Sequence, residues 1–562
     1  MAGSFDPGKP LRLGSVDTFL MEDAFWQDKM GKPVANRDFL RALLQYGSFE
    51  SFRFHCSDER HMARLREELE QLAGADGCRR VKLSLQADLL RSLGEDPEEI
   101  LHQGDFTYHM PHLMELRNRL ALPVCVSGVT HSLDGAWMQT RFIQLLLAGP
   151  KPFDSIVCTS DCAKRLLEEA FQSIRDGFAI SFGASLPAPP RLARIPLGLS
   201  EEAFETSDRG RCRLELGIPA GHFVMLSLAR FSPRHKMDLA PILETVQWLK
   251  AGGHLPSFTL VLAGSGREPD LDLVREMVSI LDLRQEVRIE GNISRERKMA
   301  LFGAADVFLS PVDNYQETFG VTIIEAMSQG LPVVASDFSG YRELVAHGRT
   351  GFLIPATASE SGTPWNALMG LLDASSVRFH QAQKISLDLQ ALSQAITALA
   401  ANPRLRMEMG LRARARSLRY HWKAIIPLYE DLWTEQRERS LRERRPDMQP
   451  PAAAPLLIPS QERLFGHFPT RRLRESDTLR LSPYGRVRCR EGFRPILYED
   501  LRPLLDDHRR EFLLRLLHER DWTLKEIVEA ARSEFSCSKD AVMHELDWLM
   551  KHGYLSCIET AS

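Results

Sequence analysis

The sequence predicts an α/β protein with two parallel-sheet domains and a small C-terminal module, on three observations. Short apolar runs alternate with amphipathic helical patterns through residues 1–205, and the alternation repeats more regularly through residues 206–400. Strands that alternate with helices favour a parallel sheet with helices on both faces. After residue 435 the chain becomes charged, then rich in proline and alanine, before helical patterns return. We therefore expect two Rossmann-like domains facing each other across a cleft, followed by a separate small unit.

Composition and charge exclude several classes of protein. The chain has 562 residues, of which 44% are hydrophobic and 26% are charged, as in globular domains rather than disordered or coiled-coil chains. This length allows for three or four domains of about 150 residues each. Lys and Arg number 71 against 75 Asp and Glu, so the net charge of −4 argues against a protein that coats nucleic acid.

Localisation and metal chemistry are constrained in the same way. No apolar run approaches the about 20 residues that a membrane-spanning helix needs, and the first residues do not form a secretion signal. The nine cysteines show no spacing typical of a metal site. We therefore expect a cytoplasmic protein with reduced thiols, no membrane span and no bound metal.

The first domain, residues 1–205, shows the elements of a parallel sheet and its covering helices. A helix is predicted over residues 36–47 because its apolar residues recur on one helix face. A second helix is predicted to begin at Asp161, whose side chain is a candidate N-cap. Strands are predicted at three apolar runs, residues 49–57, 122–129 and 154–160.

The second domain, residues 206–400, contains runs that are apolar throughout and end at Gly, Pro or Ser. Strands buried on both faces, as in the middle of a parallel sheet, have this composition. Five such strands are predicted, at residues 222–230, 257–264, 286–291, 306–311 and 331–336.

The C-terminal part divides into a linker and a small module. Residues 441–470 are charged and then rich in Pro and Ala, which is typical of a linker. In residues 471–562, VRCREGF (487–493) is a possible strand. Three amphipathic helices are predicted after it, at residues 509–519, 523–535 and 539–555. A strand, three helices and a closing apolar segment resemble a winged-helix-like α+β unit.

The densest motif is ETFGVTIIEAMSQGLPVVAS, at residues 317–336. Glu317 lies in a predicted loop next to Gly320, where a glycine lets the backbone approach a ligand closely, and Glu325 is predicted to begin a helix. Carboxylates accept hydrogen bonds in pairs, as sugar hydroxyls and a ribose diol require. Free NH groups at a helix start would also favour a phosphate. The flanking motifs favour such a site over a solvated helix end.

This region resembles the family 4 type retaining glycosyltransferases, which have the GT-B fold of two Rossmann-like domains. The pattern SP–E–FG–EAM–G–PVVAS–E–GRTGFLI carries the resemblance. Further resembling segments lie at residues 195–204, 228–236, 260–268, 287–294 and 402–433. The last of these looks like the terminal helices, residues 401–440, that cross back to the first domain. The resemblance covers residues 100 to 433 and is strongest from residue 195 onward.

The resemblance implies roles for the residues that match the family's motifs. Arg230 and Lys236, in LARFSPRHK, would grip the donor diphosphate. Glu317 would hold hydroxyls of the donor sugar, and Glu325 would hold the ribose. His131, in VSGVTHSLDG, would lie beside the donor sugar and the acceptor. Further donor-binding positions are Gly264, Gly266, Gly291, Asn292, Ile293, Phe319, Gly320 and Val321.

The chemistry of these residue types supports the resemblance independently. A nucleoside diphosphate leaving group is anionic, and an Arg fork with a Lys charge would neutralise it as the glycosidic bond breaks. The alternative for Arg230 and Lys236 is a solvated basic loop. AGSG (263–266) lacks the GK[ST] ending of a P-loop, so ATP hydrolysis is not indicated. His102, in ILHQGD, resembles the family's other strand-end His but fits a structural role better than a chemical one.

Two segments depart from the family pattern. The first strand leads into a long insert with only Gly31 in place of a Gly-rich loop, so donor contacts from the first domain are not defined. Residues 356–386 are longer than the usual connection. They would cover the base pocket or serve as a contact surface.

The predicted function is transfer of a sugar from a nucleotide-diphosphate donor, UDP- or GDP-linked, to an unidentified acceptor with retention of configuration. The resemblance implies a front-face mechanism in which the departing phosphate takes the acceptor's proton, with no metal ion and no cofactor. A GT-B sugar-nucleotide epimerase or a phosphorylase is the nearest alternative, since both share the fold.

Two further alternatives concern residues 471–562. They could read DNA in a regulator whose other domains sense a ligand, but their 17 Lys and Arg against 17 Asp and Glu leave no basic footprint. They could instead bind a peptide or protein that brings in the acceptor, which the sequence favours over DNA.

Overall fold

In the computed structural model, the protein has the predicted two parallel-sheet domains and a small C-terminal module. The structure describes residues 10–16, 19, 31–135, 137–359, 362–443, 457, 460, 464–491, 498, 501–502 and 504–558. Within these ranges, no helix combines the length and the apolar composition that crossing a bilayer requires.

The first domain is a parallel sheet in the order β3-β2-β1-β4-β5-β6-β7. Its strands are β1 Arg12–Ser15, β2 Ser51–Cys56, β3 Val81–Leu85, β4 Ile100–Gln103, β5 Cys125–Val129, β6 Ser155–Cys158 and β7 Arg191–Arg194. Its helices are α1 Gly31–Tyr46, α2 Glu59–Cys78, α3 Leu89–Glu95, α4 Met110–Arg119, α5 Met138–Leu147 and α6 Asp161–Phe182. Helix α6 begins where it was predicted, but its N-cap is Ser160 and not Asp161. Ser160 has the extended backbone of an N-cap, and its side chain accepts from the Ala163 amide at 3.1 Å.

The second domain is a parallel sheet in the order β10-β9-β8-β11-β12-β13. Its strands are β8 Phe223–Leu228, β9 Phe258–Gly264, β10 Val287–Gly291, β11 Val307–Ser310, β12 Val333–Ser336 and β13 Gly351–Ile354. Its helices are α7 Arg209–Glu215, α8 Ala240–Ala251, α9 Glu268–Ile280, α10 Arg295–Ala304, α11 Val321–Ser328 and α12 Tyr341–Leu344. The five strands predicted from apolar runs are all present. Every residue of β8, β9, β11 and β12 is buried, because helices cover both faces of the sheet.

An insertion leaves the second domain after β13. It consists of β14 Ala356–Ala358, α13 Thr363–Met369, α14 Ala374–Ala382 and β15 Ile385–Leu387. Strands β14 and β15 pair antiparallel, with Ala358 opposite Ile385, so the insertion leaves and returns at one point.

Three helices follow, α15 Leu389–Ala401, α16 Pro403–Ser417 and α17 Trp422–Glu443. Helix α16 lies on the second domain, where the Arg414 guanidinium donates to the Ser328 carbonyl at 3.0 Å. Helix α17 lies on the first domain, where Ser440 Oγ donates to the Pro123 carbonyl at 2.6 Å. The chain therefore crosses back and joins the two domains.

The C-terminal module has its own buried core and an antiparallel sheet in the order β17-β16-β18. Its elements are β16 Thr478–Leu481, α18 Pro483–Glu491, α19 Asp507–Glu519, β17 Trp522–Thr523, α20 Leu524–Phe535, α21 Lys539–Lys551 and β18 Leu555–Ile558. The strand predicted at residues 487–493 is wrong, because residues 487–491 end helix α18 and the last two lie outside the described residues. Pro483 suits the first helical position, and Arg486 and Arg490 are exposed on this helix.

Candidate active site

A cavity of about 640 Å³ lies between the two domains at the C-terminal ends of the β8, β9 and β10 strands. Ligands of open α/β sheets bind at such strand ends. The second domain contributes the predicted residues Gly264, Asn292, Ile293, Val321 and Glu325 to its lining. The first domain contributes residues of helix α1 to the lining. The sequence analysis predicted this helix but did not identify its residues as part of a site.

The glycines of the β9 and β10 turns hold neighbouring loops in contact. Gly264 has a φ of 146°, and a Cβ atom there would lie 1.8 Å from the Ala229 carbonyl oxygen. Only glycine fits this approach. The Asn292 side chain accepts from the Gly266 amide at 3.2 Å and donates to its carbonyl at 3.1 Å. The β10 turn, which includes Gly291, is thereby tied to the β9 turn.

Gly320 fixes where helix α11 starts. Its φ is 108°, and a Cβ atom there would lie 2.5 Å from the Tyr341 ring. The helix begins directly after it, at Val321, so the prediction that Glu325 begins the helix is wrong. The left-handed backbone of Gly320 ends the preceding loop, so the helix starts about one turn before the predicted start at Glu325. Val321 and Thr322, in the first turn of α11, line the cavity at the helix end where amides lack intrahelical acceptors.

Glu317 and Lys236 form an ion pair next to this helix start. Tyr341 donates its hydroxyl to Glu317 Oε2 at 3.3 Å, and the Phe319 amide donates to Glu317 Oε1 at 3.1 Å. Burial raises the pKa of Glu317, but the Lys236 ammonium outweighs it and holds that pKa below its usual value. Burial likewise opposes the charge of Lys236, and Glu317 raises the pKa of Lys236 above its usual value. Both groups are therefore charged at neutral pH.

The basic loop, residues 229–236, brings a second cation to this pair. Arg230 acts to lower the pKa of Lys236, against the larger opposite effect of Glu317, so Arg230 adds a second positive charge to the surroundings of this pair. Like charges repel, so an anion held between them would stabilise the loop. The start of α11 adds its free amides to the same region.

Glu325 lies on the inner face of α11, where Lys298 donates to Glu325 Oε1 at 2.6 Å. Asp38 of helix α1 approaches from the first domain, and burial, reinforced by the charge of Glu325, raises the pKa of Asp38. Glu202 forms ion pairs with two residues that line the cavity, Arg41 at 3.6 Å and Arg295 at 3.7 Å. None of these first-domain contacts could be predicted from the sequence, since Asp38 has the position of an ordinary polar residue in an amphipathic helix.

His131 lies at the facing edge of the first domain. Its Nε2 atom is 2.7 Å from the Gly104 carbonyl oxygen and 3.1 Å from Asn36 Oδ1, so we assign the ring proton to Nε2. Burial lowers the pKa of His131, the Asp105 carboxylate opposes that effect, and Lys32 adds to it. The imidazole is therefore neutral at physiological pH.

Asp105 and Lys32 are site residues that the sequence analysis missed. Lys32 Nζ donates to Asp105 Oδ2 at 2.7 Å and lies 4.4 Å from the centre of the Tyr108 ring. Burial raises the pKa of Asp105, but the charge of Lys32 outweighs it and keeps this carboxyl ionised. Asp105 follows a buried strand directly, and that position was the available signal.

The loop of His131 also contacts the loop of Glu317. Thr318 Oγ1 donates to the His131 carbonyl at 3.1 Å, and Gln316 Nε2 donates to Ser132 Oγ at 3.5 Å. The fold thus brings His131 and Glu317 to one place from opposite domains.

His102 is separate from the cavity and fully buried in an aromatic cluster that includes Phe19, Phe39 and Trp433. Among the described residues, no group of three or more His, Cys, Asp or Glu side chains is placed to hold a metal ion.

Comparisons with known proteins bear on this geometry. Residues 208–362 match the family model described as Glycosyl transferases group 1. The D-inositol 3-phosphate glycosyltransferase of Mycobacteroides abscessus is 29% identical over 178 residues, which are 31% of this chain and 37% of that protein. The chain therefore spans about a third of the length of this curated relative.

Solved structures extend the likeness over both domains. A glycosyltransferase from Rickettsia africae superposes with a TM-score of 0.52 at 15% identity, over 76% of this chain and 99% of that one. Anabaena Alr3699/HepE in complex with UDP superposes with a TM-score of 0.50 at 15% identity, over 76% of this chain and 100% of that one. At such identity the likeness is one of fold, and it confirms the predicted GT-B arrangement.

Proposed function

We propose that the protein is a retaining glycosyltransferase that moves a sugar from a nucleoside diphosphate to an acceptor. The Glu317–Lys236 ion pair, set beside Arg230 and the start of helix α11 and facing His131, carries this proposal. Such a site offers cations and amides to a diphosphate and a carboxylate to sugar hydroxyls. The family match over residues 208–362 supports the same assignment.

In the reaction, the diphosphate leaves as the glycosidic bond breaks, and Arg230 and Lys236 stabilise the negative charge that develops on it. Glu317 accepts hydrogen bonds from hydroxyls of the donor sugar, and Glu325 accepts them from the ribose. Neutral His131 lines the side of the sugar nearest the acceptor. The departing phosphate takes the proton of the acceptor hydroxyl on the same face, so configuration is retained without a covalent intermediate.

A UDP- or GDP-sugar is the proposed donor, and the structural neighbour in complex with UDP supports the uridine form. The first experiment is a thermal-shift screen of the full chain with UDP, GDP, UDP-glucose and GDP-mannose, since a ligand of the native state raises the unfolding midpoint. Lys236→Met should abolish the shift, whereas Lys423→Met, at an exposed position, should preserve it. A wild-type protein with no shift for any of the four would overturn the proposal.

Acceptor screening can begin with inositol 3-phosphate, because a curated relative is named for it. Release of the nucleoside diphosphate that depends on the acceptor would support transfer. Conversion of the sugar nucleotide without any acceptor would favour an epimerase instead.

We further propose that the reaction proceeds in the cytoplasm. We also propose that it needs no metal ion, because Arg230 and Lys236 already supply cations to the diphosphate. Turnover should therefore persist in EDTA. Inactivation by EDTA and restoration by Mg²⁺ or Mn²⁺ would contradict this.

For the C-terminal module we propose a winged-helix-like unit that binds an extended peptide or a protein partner. Two features support it. Strand β18 lies at an edge of the three-stranded sheet, where a peptide strand could pair. The adjoining helix α18 exposes Tyr484 and Val487 together with Arg486 and Arg490. An acidic peptide with apolar anchors would suit this surface, and nucleic acid is disfavoured by the balanced charge of the whole module.

A further inference from the structure

The insertion of residues 356–387 is a self-contained excursion from the second domain. Because β14 and β15 pair with each other, the 26 residues between Ala358 and Ile385 are not needed to connect the strands of the main sheet. None of the described residues of this insertion lines the cavity between the domains. Helix α14 instead lies near the basic loop, residues 229–236, at the other end of the site.

Arg378 of helix α14 reaches across the cleft to the first domain. Its guanidinium donates to both oxygens of Asp134, with Nε–Oδ2 at 2.5 Å and a second nitrogen to Oδ1 at 3.3 Å. The Asp134 side chain is 2% exposed and that of Arg378 is 15% exposed. A bidentate contact of this kind fixes the orientation of the guanidinium relative to the carboxylate and also pairs their charges. The pair therefore joins the loop of His131 to the insertion.

The same helix holds the basic loop. A third nitrogen of Arg378 lies 3.3 Å from His235 Nδ1, and Ser375 Oγ lies 3.3 Å from His235 Nε2. Arginine can only donate, so Nδ1 accepts and the proton of a neutral His235 ring is on Nε2, facing Ser375. The Arg234 guanidinium lies 4.8 Å from the centre of the Phe379 ring.

These contacts complete a ring around the candidate site. Lys236, next to His235, pairs with Glu317, and Thr318, next to Glu317, donates to the carbonyl of His131. Asp134, three residues after His131, returns the ring to Arg378. The ring contains the basic loop, the loop of Glu317, the loop of His131 and helix α14.

We propose that the insertion is a clasp that closes the cleft over the bound nucleoside diphosphate, and that Arg378 is its positioning residue. Arg378 does not itself touch the donor; it keeps the loops of His131 and His235 together across the cleft. This inference rests on the proposed function only in requiring that a nucleoside diphosphate binds at the basic loop.

The physical consequence lies in the rate of release. A closed clasp must open before the diphosphate can leave, whereas binding begins from the open form, so loss of the clasp should act mainly on dissociation. Removing Arg378 leaves Asp134 buried without its counter-ion, which favours the open form that solvates this carboxylate.

The experiment measures the dissociation and association rates of UDP and GDP with the full chain by stopped flow. Two variants weaken the clasp, Arg378→Met and Asp134→Asn. A third replaces residues 359–384 by Asn-Gly, a two-residue turn suited to joining paired strands. His380→Met, at an exposed position on the same helix, is the matched control.

We expect dissociation to be faster by about tenfold or more in all three variants, equivalent to about 1.4 kcal/mol. Association should stay within about twofold, since the open form binds as before. Arg378→Met combined with Asp134→Asn should dissociate no faster than either alone, because both remove one contact. Hydrogen exchange should increase in residues 131–135 and 230–236, and His380→Met should match the wild type.

Dissociation rates that stay within about twofold of wild type in a folded Arg378→Met protein would overturn the clasp. If Arg378→Met fails to fold, the Asn-Gly variant gives the same test. A wild-type protein that binds neither UDP nor GDP would instead overturn the proposed function and this inference with it.

Discussion

Lys236 and Glu317 face each other where little water reaches them, with side chains 20% and 12% exposed. A buried charge is costly unless a partner compensates it, so each of these residues depends on the other until a ligand enters. A donor with an anionic diphosphate and hydroxyl groups can replace both partners at once. The residues at this site thus fit a ligand that is anionic at one end and rich in hydroxyls at the other.

Glu317→Gln should lose most turnover while the fold remains intact. The amide still reaches a hydroxyl but no longer neutralises Lys236, so we expect nucleoside diphosphate release to fall by about tenfold or more. Glu268→Gln, on the surface, is the control. Turnover of Glu317→Gln within about twofold of wild type would remove Glu317 from the proposed role.

The burial of His102 predicts that the free energy of unfolding depends on pH. Burial lowers its pKa to about 3, so below pH 6.5 the unfolded chain binds a proton that the folded protein does not. The contribution of His102 to the free energy of unfolding is therefore complete above pH 6.5 and is lost as the pH falls toward 3.

Between pH 7 and pH 5, the wild type should lose about 2 kcal/mol more of its free energy of unfolding than His102→Asn does. Urea denaturation at each pH measures this difference. His254→Asn, at an exposed position, should leave the loss unchanged. An equal loss in His102→Asn and wild type would show that His102 is not the titrating group.

At the scale of single elements, glycines decide how the loops meet the strands and helices. The start of α11 depends on Gly320, whose backbone conformation and contact with Tyr341 both exclude a side chain. The first turn of the same helix lines the cavity, and the helix carries Glu325. A change at this one position should therefore affect stability and ligand binding together.

Gly320→Ala should lower the free energy of unfolding by about 1–3 kcal/mol, the cost of a strained backbone, and should weaken nucleotide binding. Gly217→Ala is the matched control, because Gly217 also has a positive φ, 60°, but open space around it. It should cost less stability and leave binding unchanged. Calorimetry with UDP compares the two, and equal effects on binding would contradict a local role for Gly320.

At the scale of the whole molecule, direct contacts among the described residues connect the two large domains. Helices α16 and α17 span both domains, and Glu343 of the second domain caps the start of α6 in the first, accepting from the Asp161 amide at 2.8 Å. The module keeps a separate core of its own, with buried residues such as Leu513, Ile527 and Leu546.

Removing residues 446–562 should leave a folded core that binds the nucleotide as the full chain does. The truncation ends after α17 and takes away a core that is complete in itself. We expect the dissociation constant for UDP to stay within about twofold, and transfer to the native acceptor to fall if the module recruits it. A truncated protein that precipitates would show instead that the module stabilises the core.

Local patterns predicted strands β2, β5 and β6 of the first sheet, strands β8 to β12 of the second, and much of the site on the second domain, but not β3, β7 or β13. Buried parallel strands are continuous apolar runs, so β8 to β12 could be predicted from composition. Glu317, Gly320 and Glu325 fall in one linear motif, and Gly264 lies in a separate turn. Gly264 and Glu325 line one cavity, and the Glu317–Lys236 ion pair lies next to the start of α11, which lines the same cavity. Residues 487–491 show the limit of such patterns, since they were predicted as part of a strand and belong to helix α18.

Tertiary structure decided which parts of the first domain meet that motif. Lys32 and Asp105 are 73 residues apart, and Arg378 and Asp134 are 244 apart, yet each pair is in direct contact. No local pattern links the two residues of either pair, because an ion pair needs only opposite charges that the fold brings together. Where the domains face each other depends on the packing of α16 and α17 and not on any local period. The sequence therefore determined the apolar strands and the donor-side motif, while the contacts between the two domains depended on residues far apart in the chain.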